Sequence, residues 1–160
     1  MVGVRIVCVG KLKETYFKQA AAEYEKMLGG FCALETAEVA PAPLGENPSP
    51  REIEAALLRE AQGIAKKIPA ATVCAVLCSE GEALSSGQFS DWLAGNIARG
   101  HGHFTFVIGG SNGLAERLKS DAALRLSMGP MTFPHRLARV MLLEQLYRAF
   151  SIAAGGKYHK

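Results

Sequence analysis

The 160-residue chain has no apolar stretch approaching the roughly 18–20 residues of a membrane-spanning helix. Met1–Gly10 carries one short apolar run and no small-residue cleavage site, so it does not read as a secretory signal, and the chain is expected to stay in the cytoplasm. It also lacks a Cys-x-x-Cys pair. Cys74 and Cys78 fall on one expected strand, about 13 Å apart at roughly 3.3 Å per residue, which is too far for a disulfide. Cys8, Cys32, Cys74 and Cys78 are therefore expected to be reduced core residues. No His or Cys pair has zinc-ligand spacing, so no metal is expected. Repeats, low-complexity tracts and linkers are missing too, and residues 1–160 read as one domain. Charge of either sign is scarce: 18 basic against 15 acidic residues leave a net +3. That is little for gripping naked RNA, whose binding is dominated by phosphate contacts, and neither DNA nor a membrane is an expected partner.

What the chain does have is a core. Hydrophobic residues make up 49% of it and charged residues 21%, which excludes disorder as the main state. Val4–Val9 (VRIVCV) is a short β-branched run ended by Gly10. From Glu14 to Leu28 apolar residues recur at helical spacing before Gly29-Gly30. Leu34–Val39 suits a second strand, and proline-rich Ala40–Ser49 an exposed loop. Ser49-Pro50-Arg51-Glu52 is a capping box with proline in the first helical position. Ile53, Leu57, Ala61, Ile64 and Ile68 then give one apolar face up to Pro69. Thr72–Cys78 is a continuous apolar strand, of the kind covered on both faces. Ser85–Gln88 opens another helix, through Phe89, Leu93 and Ile97 to Gly100, and Phe104–Ile108 is the next strand. Alternating strands and helices predict an α/β fold, a parallel sheet with helices on both faces. Ligands of such sheets sit beyond the carboxyl ends of the strands. Those ends are Cys78–Gly81, Gly109–Gly113 and the loop after Leu126.

His135 to about Ala153 is apolar nearly all round, so this last helix must be covered on most sides. The expectation is a homodimer built on it; the other possibility is a central helix in a monomer. Pro134–Lys160 also holds five basic residues (Arg136, Arg139, Arg148, Lys157, Lys160) against Glu144, a local +4, which leaves −1 for residues 1–133. A positive end on a near-neutral body suits a polyanion, or is a soluble tail.

Three segments could carry chemistry. Gly109-Gly110-Ser111-Asn112-Gly113 fails as a dinucleotide fingerprint, since Ile108 stands where its first glycine belongs. It fits G-x-S-x-G literally, with Ser111 as nucleophile and Asp121 and His135 or His159 in hydrolase order. It also fits a loop whose glycines admit a flat ligand close to the backbone, or a plain turn. Ser127–Pro134 (SMGPMTFP) is a stiff loop with Met128, Met131 and Phe133 available to line a slot. His135 and Arg139 lie one helical turn apart on one face, and Tyr158-His159-Lys160 offers an aromatic and basic contact for RNA.

Taken in order, several blocks resemble one family. They are Val9–Lys13, Leu77–Ser86 (LCSEGEALSS), Phe106–Leu114 (FVIGGSNGL), Met131–His135 (MTFPH), Arg139, Glu144–Ala149 and Tyr158–Lys160. Over its whole length the chain is similar to the ribosomal large subunit methyltransferase H family, of the SPOUT (α/β-knot) methyltransferases. The resemblance implies a homodimer with a C-terminal trefoil knot and S-adenosylmethionine as methyl donor. The implied reaction is methylation of N3 of a pseudouridine in helix 69 of 23S rRNA, on the assembled ribosome. Carried over residue by residue, the implied cofactor pocket is Leu77, Gly109 and Met128, Gly129, Pro130, Met131, Thr132 and Phe133. Gly129-Pro130 departs from the family pattern, so contacts there are expected through backbone. By their position in the basic segment beside that pocket, Arg139 and His159 are expected to flank the target base with Tyr158 stacking on it or closing the site, and His135, Arg136, Lys157 and Lys160 are the expected RNA contacts. A non-catalytic ribosome-binding factor and a serine hydrolase using Ser111 are the competing functions.

Overall fold

A computed structural model describes every residue from Met1 to Lys160. Five strands and five helices alternate along the chain: β1 (Val2–Val9), α1 (Thr15–Leu28), β2 (Cys32–Val39), α2 (Pro50–Ala65), β3 (Val73–Ala83), α3 (Ser86–Ala98), β4 (His103–Ile108), α4 (Glu116–Asp121), β5 (Leu124–Ser127) and α5 (His135–Ala153). The strands form one sheet in the order β2-β1-β4-β3-β5, and every pairing is parallel. The predicted α/β architecture is present.

Both faces of the sheet are covered because its central strands are apolar on both faces. In β1, Val4, Ile6 and Cys8 point into the larger core cluster and Val7 and Val9 into the smaller. On the larger side lie α1, α3 and α5, which bring Leu28, Phe89, Leu93, Leu142, Leu143 and Leu146. On the smaller side Ile64 of α2 is fully buried, with Leu118 of α4 packed against the same cluster. Helix α5 lies between α1 and α3. The Ser90 hydroxyl donates to the Ala149 carbonyl at 2.7 Å, and Phe150 stacks on Phe31 at 5.8 Å between centroids.

Both capping boxes form. Ser49 Oγ accepts from the Glu52 amide at 3.2 Å, and Ser85 Oγ from the Gln88 amide at 3.1 Å; each partner side chain in turn accepts from the cap's own amide. Beyond shifts of a few residues at element ends, two differences from the sequence reading shape the site. The strand expected over Thr72–Cys78 runs on to Ala83, through the polar Ser79-Glu80-Gly81-Glu82. The reason lies in its partner: Leu126 of β5 pairs with both Leu77 and Glu82, so β3 bulges around the intervening four residues and resumes pairing. The second difference is β5 itself. Its four residues, LRLS, are too few for a period to stand out.

At the bulge the backbones nearly touch. A Cβ at Gly81 would stand 2.6 Å from the Arg125 carbonyl oxygen and 3.0 Å from the Leu126 nitrogen. Only glycine admits this approach. Gly81→Ala is expected to cost about 1–3 kcal/mol by forcing β3 and β5 apart, read as a lower urea midpoint with an unchanged m-value.

All four cysteines are free. Burial pushes the thiols of Cys8 and Cys32 up to about 11. At pH 8 both are therefore neutral and unreactive. Iodoacetamide is expected to leave Cys8 and Cys32 unmodified in the native protein and to alkylate all four after denaturation, as read by mass spectrometry.

Candidate active site

The loops that follow β4 and β5 meet the bulge of β3. The loop after β4 is a tight turn. Gly113, at φ +80°, donates its amide to the Gly110 carbonyl at 3.1 Å, and Gly109 packs so closely on Gly113 that a side chain at Gly109 would overlap the Gly113 carbonyl. The loop after β5 is pinned by Ser127, whose hydroxyl accepts from the Gly129 amide and lies 3.1 Å from the Ser79 carbonyl. Gly129 sits at φ +115°, a conformation that a side chain would strain. Pro130 and Pro134 stiffen the remainder of the loop.

These loops enclose a cleft of about 670 Å³. Its wall includes Leu77, Gly109, Met128, Gly129, Met131, Thr132 and Phe133, all expected there from the sequence. Pro130 is the exception: it is exposed and does not join the lining. The wall also takes in Cys78, Ser79, Ile108, Gly110, Ser111 and His135. The resemblance did not assign these residues to the pocket. Their signal was position, since each adjoins a glycine or a strand end already singled out. No carboxylate lines the cleft, and its only titratable groups are Cys78 and His135. Burial, with Arg136 nearby, lowers the His135 pKa below its usual value, so the ring is neutral at pH 7.

The residues expected to do chemistry are not gathered in this cleft within one chain. Arg139 is buried behind it and pairs with Glu38 of β2 at 3.0 Å; its Nε has no partner. It shares a small cavity with Ile108 and His135, two residues of the cleft wall. Tyr158 and His159 fold back onto α5. The Tyr158 hydroxyl donates to Glu144 at 3.2 Å, the Arg148 guanidinium lies 4.8 Å over the Tyr158 ring, and His159 Nδ1 is 3.2 Å from Arg148. Burial and the Glu144 carboxylate push the Tyr158 phenol up to about 12, so it stays protonated.

The positive end is also less free than its formal charge suggests. Arg136 pairs with Glu14 at 3.0 Å and donates to the Lys11 carbonyl, Arg139 pairs with Glu38, and Arg148 pairs with Glu144. Of its five basic side chains, only Lys157 and Lys160 have no acidic partner.

The hydrolase reading fails on geometry. Ser111 is exposed and its hydroxyl makes no hydrogen bond. Asp121 faces Arg117 at 3.8 Å, and His159 lies against Arg148. No serine–histidine–carboxylate relay is assembled.

Comparison with known proteins decides the family. Residues 2–159 match the family described as "Predicted SPOUT methyltransferase". The chain belongs to the SPOUT methyltransferase family. It is a methyltransferase, and S-adenosylmethionine is the methyl donor that membership brings. Two curated relatives, each named "Ribosomal RNA large subunit methyltransferase H", come from Streptococcus equi subsp. zooepidemicus and Streptococcus equi subsp. equi. Each is 41% identical over 98% of this chain and 99% of its own length. Among solved structures, a probable methyltransferase from Bordetella pertussis Tohama I superimposes with a TM-score of 0.58 at 15% identity, over 93% of this chain and 95% of that one. A probable methylase family protein from Haemophilus influenzae Rd KW20 gives 0.55 at 15% identity, covering 100% of this chain and 72% of that chain. At such identities the two structures speak for the fold alone.

In this SPOUT chain Arg139 depends on Glu38 for its counter-charge. Glu38→Gln removes that charge and leaves a buried guanidinium. The expected cost is about 1–2 kcal/mol, at the low end because Glu38 is partly exposed. It is checked by thermal melts of the variant beside Arg139→Leu and the double variant, where the two losses are expected not to add.

Proposed function

We propose that this chain methylates N3 of a pseudouridine in helix 69 of 23S rRNA, in the cytoplasm, on the assembled ribosome. It acts as a single SPOUT domain over residues 1–160, as a homodimer through α5, with its C-terminal segment threaded as a trefoil knot. The observation that carries the reading is the cleft at the carboxyl ends of β3, β4 and β5, ringed by the residues that the family resemblance implies for the cofactor. The rRNA methyltransferase names of relatives 41% identical over nearly the full chain support the substrate class.

The cleft suits the donor. Its 670 Å³ lies within the range of about 300–1,000 Å³ typical of small-molecule sites. Bare backbone at Gly109, Gly110 and Gly129 lets a flat ring approach, while Leu77, Ile108, Met128 and Phe133 supply apolar walls. S-adenosylmethionine supplies an electrophilic methyl group on a sulfonium. The chain's own work is to hold donor and acceptor in line, which can lower the barrier by several kcal/mol. A uracil-type N3 must give up its proton, released to water, before it takes the methyl and leaves the donor a neutral thioether, and a positive charge nearby eases that loss. Arg139, fixed by Glu38 behind His135, is suited to supply it.

The dimer brings in what one chain lacks. Leu137, Val140, Met141, Tyr147 and Ile152 of α5 remain half-buried, an apolar strip that a second copy would cover. Tyr158 and His159 lie away from their own cleft, and in the dimer the tail of one protomer serves the site of the other. His135, Arg136, Lys157 and Lys160 rim the surface offered to RNA. The exposed Lys157 and Lys160 are the phosphate contacts, and Arg136 contributes only by exchanging Glu14 for phosphate.

Radiolabelled S-adenosylmethionine, incubated with the protein and with ribosomes from cells lacking this gene, is expected to label one pseudouridine of 23S rRNA. Free 23S rRNA is expected to be a poor substrate. Phe133→Ala should weaken cofactor binding by about tenfold in calorimetry, whereas Ser111→Ala should leave it unchanged. Cofactor binding without label on any rRNA would overturn the substrate assignment and keep the donor.

A further inference from the structure

Beside the donor cleft lies a second cavity of about 240 Å³ that the methyltransferase assignment leaves unused. Its roof is the proline-rich 40–49 loop, through Pro41 and Leu44, and its floor is Leu57 of α2 and Val9 of β1. Ala42, Ala56 and Glu60 complete that side, and the wall facing them is Gly110-Ser111-Asn112 and His135. Gly110, Ser111 and His135 line both this cavity and the donor cleft, so the two spaces share one wall.

We propose that this cavity receives the nucleobase to be methylated, a uracil-type ring turned out of the RNA stack. The inference rests on reading the larger cleft as the donor site, and it names where the acceptor lies.

Three features carry it. The first is scale. At 240 Å³ the cavity is smaller than the roughly 300 Å³ at which ordinary ligand sites begin, which suits one ring better than a second cofactor. The second is chemistry. A flipped pyrimidine needs apolar surfaces for its two faces and polar groups for its edge. Pro41, Leu44, Leu57 and Val9 provide the surfaces. Asn112 offers both a donor and an acceptor to a ring edge of alternating carbonyl and N–H, and the His135 ring hydrogen-bonds to no protein group. The third is that the space is held open. Glu60 Oε2 accepts from the Ala42 amide at 2.9 Å and ties the roof to α2. Beneath, Gly10 sits next to His135 and Pro41 at φ +92°, a backbone conformation that a side chain would strain, and so fixes the turn between them. The 40–49 loop thus belongs to the site as its specificity element.

The test uses the full chain, S-adenosylmethionine and ribosomes from cells lacking this gene. Leu44→Trp fills the cavity from its roof, and Asn112→Ala removes an exposed polar edge without touching the core. Both are expected to keep cofactor affinity within about twofold and to lower kcat/KM on ribosomes by at least about tenfold. RNA carrying 5-iodouridine at the target position should photocross-link to peptides containing residues 41–44 or 110–112. Folded variants with unchanged kcat/KM, or cross-links confined to other segments, would overturn the proposal. Loss of cofactor affinity in Leu44→Trp would also overturn it, by assigning the cavity to the donor. A wild-type chain that binds no S-adenosylmethionine would instead remove the reading on which the proposal stands.

Discussion

The close contact between β3 and β5 governs the rest of this structure. Leu126 pairs with β3 twice, once on each side of a four-residue bulge, and Gly81 lies against the Arg125 and Leu126 backbone. Because β5 is held there, the chain leaves the sheet at Ser127 and must turn sharply through Gly129, Pro130 and Pro134 before α5 begins. The same hydroxyl of Ser127 binds the turn and lies within reach of the bulge. The cleft proposed for the donor is the space left between that turn, the bulge and the glycine loop after β4. Its shape follows from backbone packing at the glycines, and its walls are largely apolar side chains with no carboxylate among them. Such a site is preorganised, as positioning of two reactants requires.

Electrostatics in the molecule are arranged behind and around the cleft. Arg136, Arg139 and Arg148 each find a carboxylate. A charge as buried as that of Arg139 needs such a partner, or the fold would carry its desolvation uncompensated. The pairs also tie α5 to its surroundings: Arg136 reaches Glu14 before α1, and Arg139 reaches Glu38 near the end of β2. The basic C-terminal segment therefore acts largely as a fastening. What it offers to a polyanion is its tail, where Lys157 and Lys160 stand free, with His159 and Tyr158 between them.

The glycines of this chain mark where function and backbone coincide. Gly109 and Gly81 allow main chain to approach main chain, and Gly10 and Gly129 take conformations that a side chain would strain. Three of these four positions face one of the two adjoining spaces or the loops that shape them. The fourth, Gly81, keeps β3 and β5 together. Substitutions here are expected to register first as stability and then as binding, because they would disturb the backbone that the loops depend on for their shape.

Much of this was legible from residue order alone. Apolar runs with β-branched residues placed β1, β3 and β4; capping boxes placed the starts of α2 and α3; and the alternation of strand and helix fixed a parallel sheet with its ligand end at the glycine loops. Those signals are local, and local chemistry decides them. The family blocks added which residues the resemblance implies for the donor, and seven of those eight line one cleft. Sequence could not supply the bulge of β3, the four-residue β5, the pairing of Arg139 with Glu38, or the folding of Tyr158 onto Glu144. It also could not bring the 40–49 loop, nearly a hundred residues before His135, to the same cavity. Each of these joins residues distant along the chain through a single contact that leaves no periodic trace in either segment, so only the tertiary structure decided them.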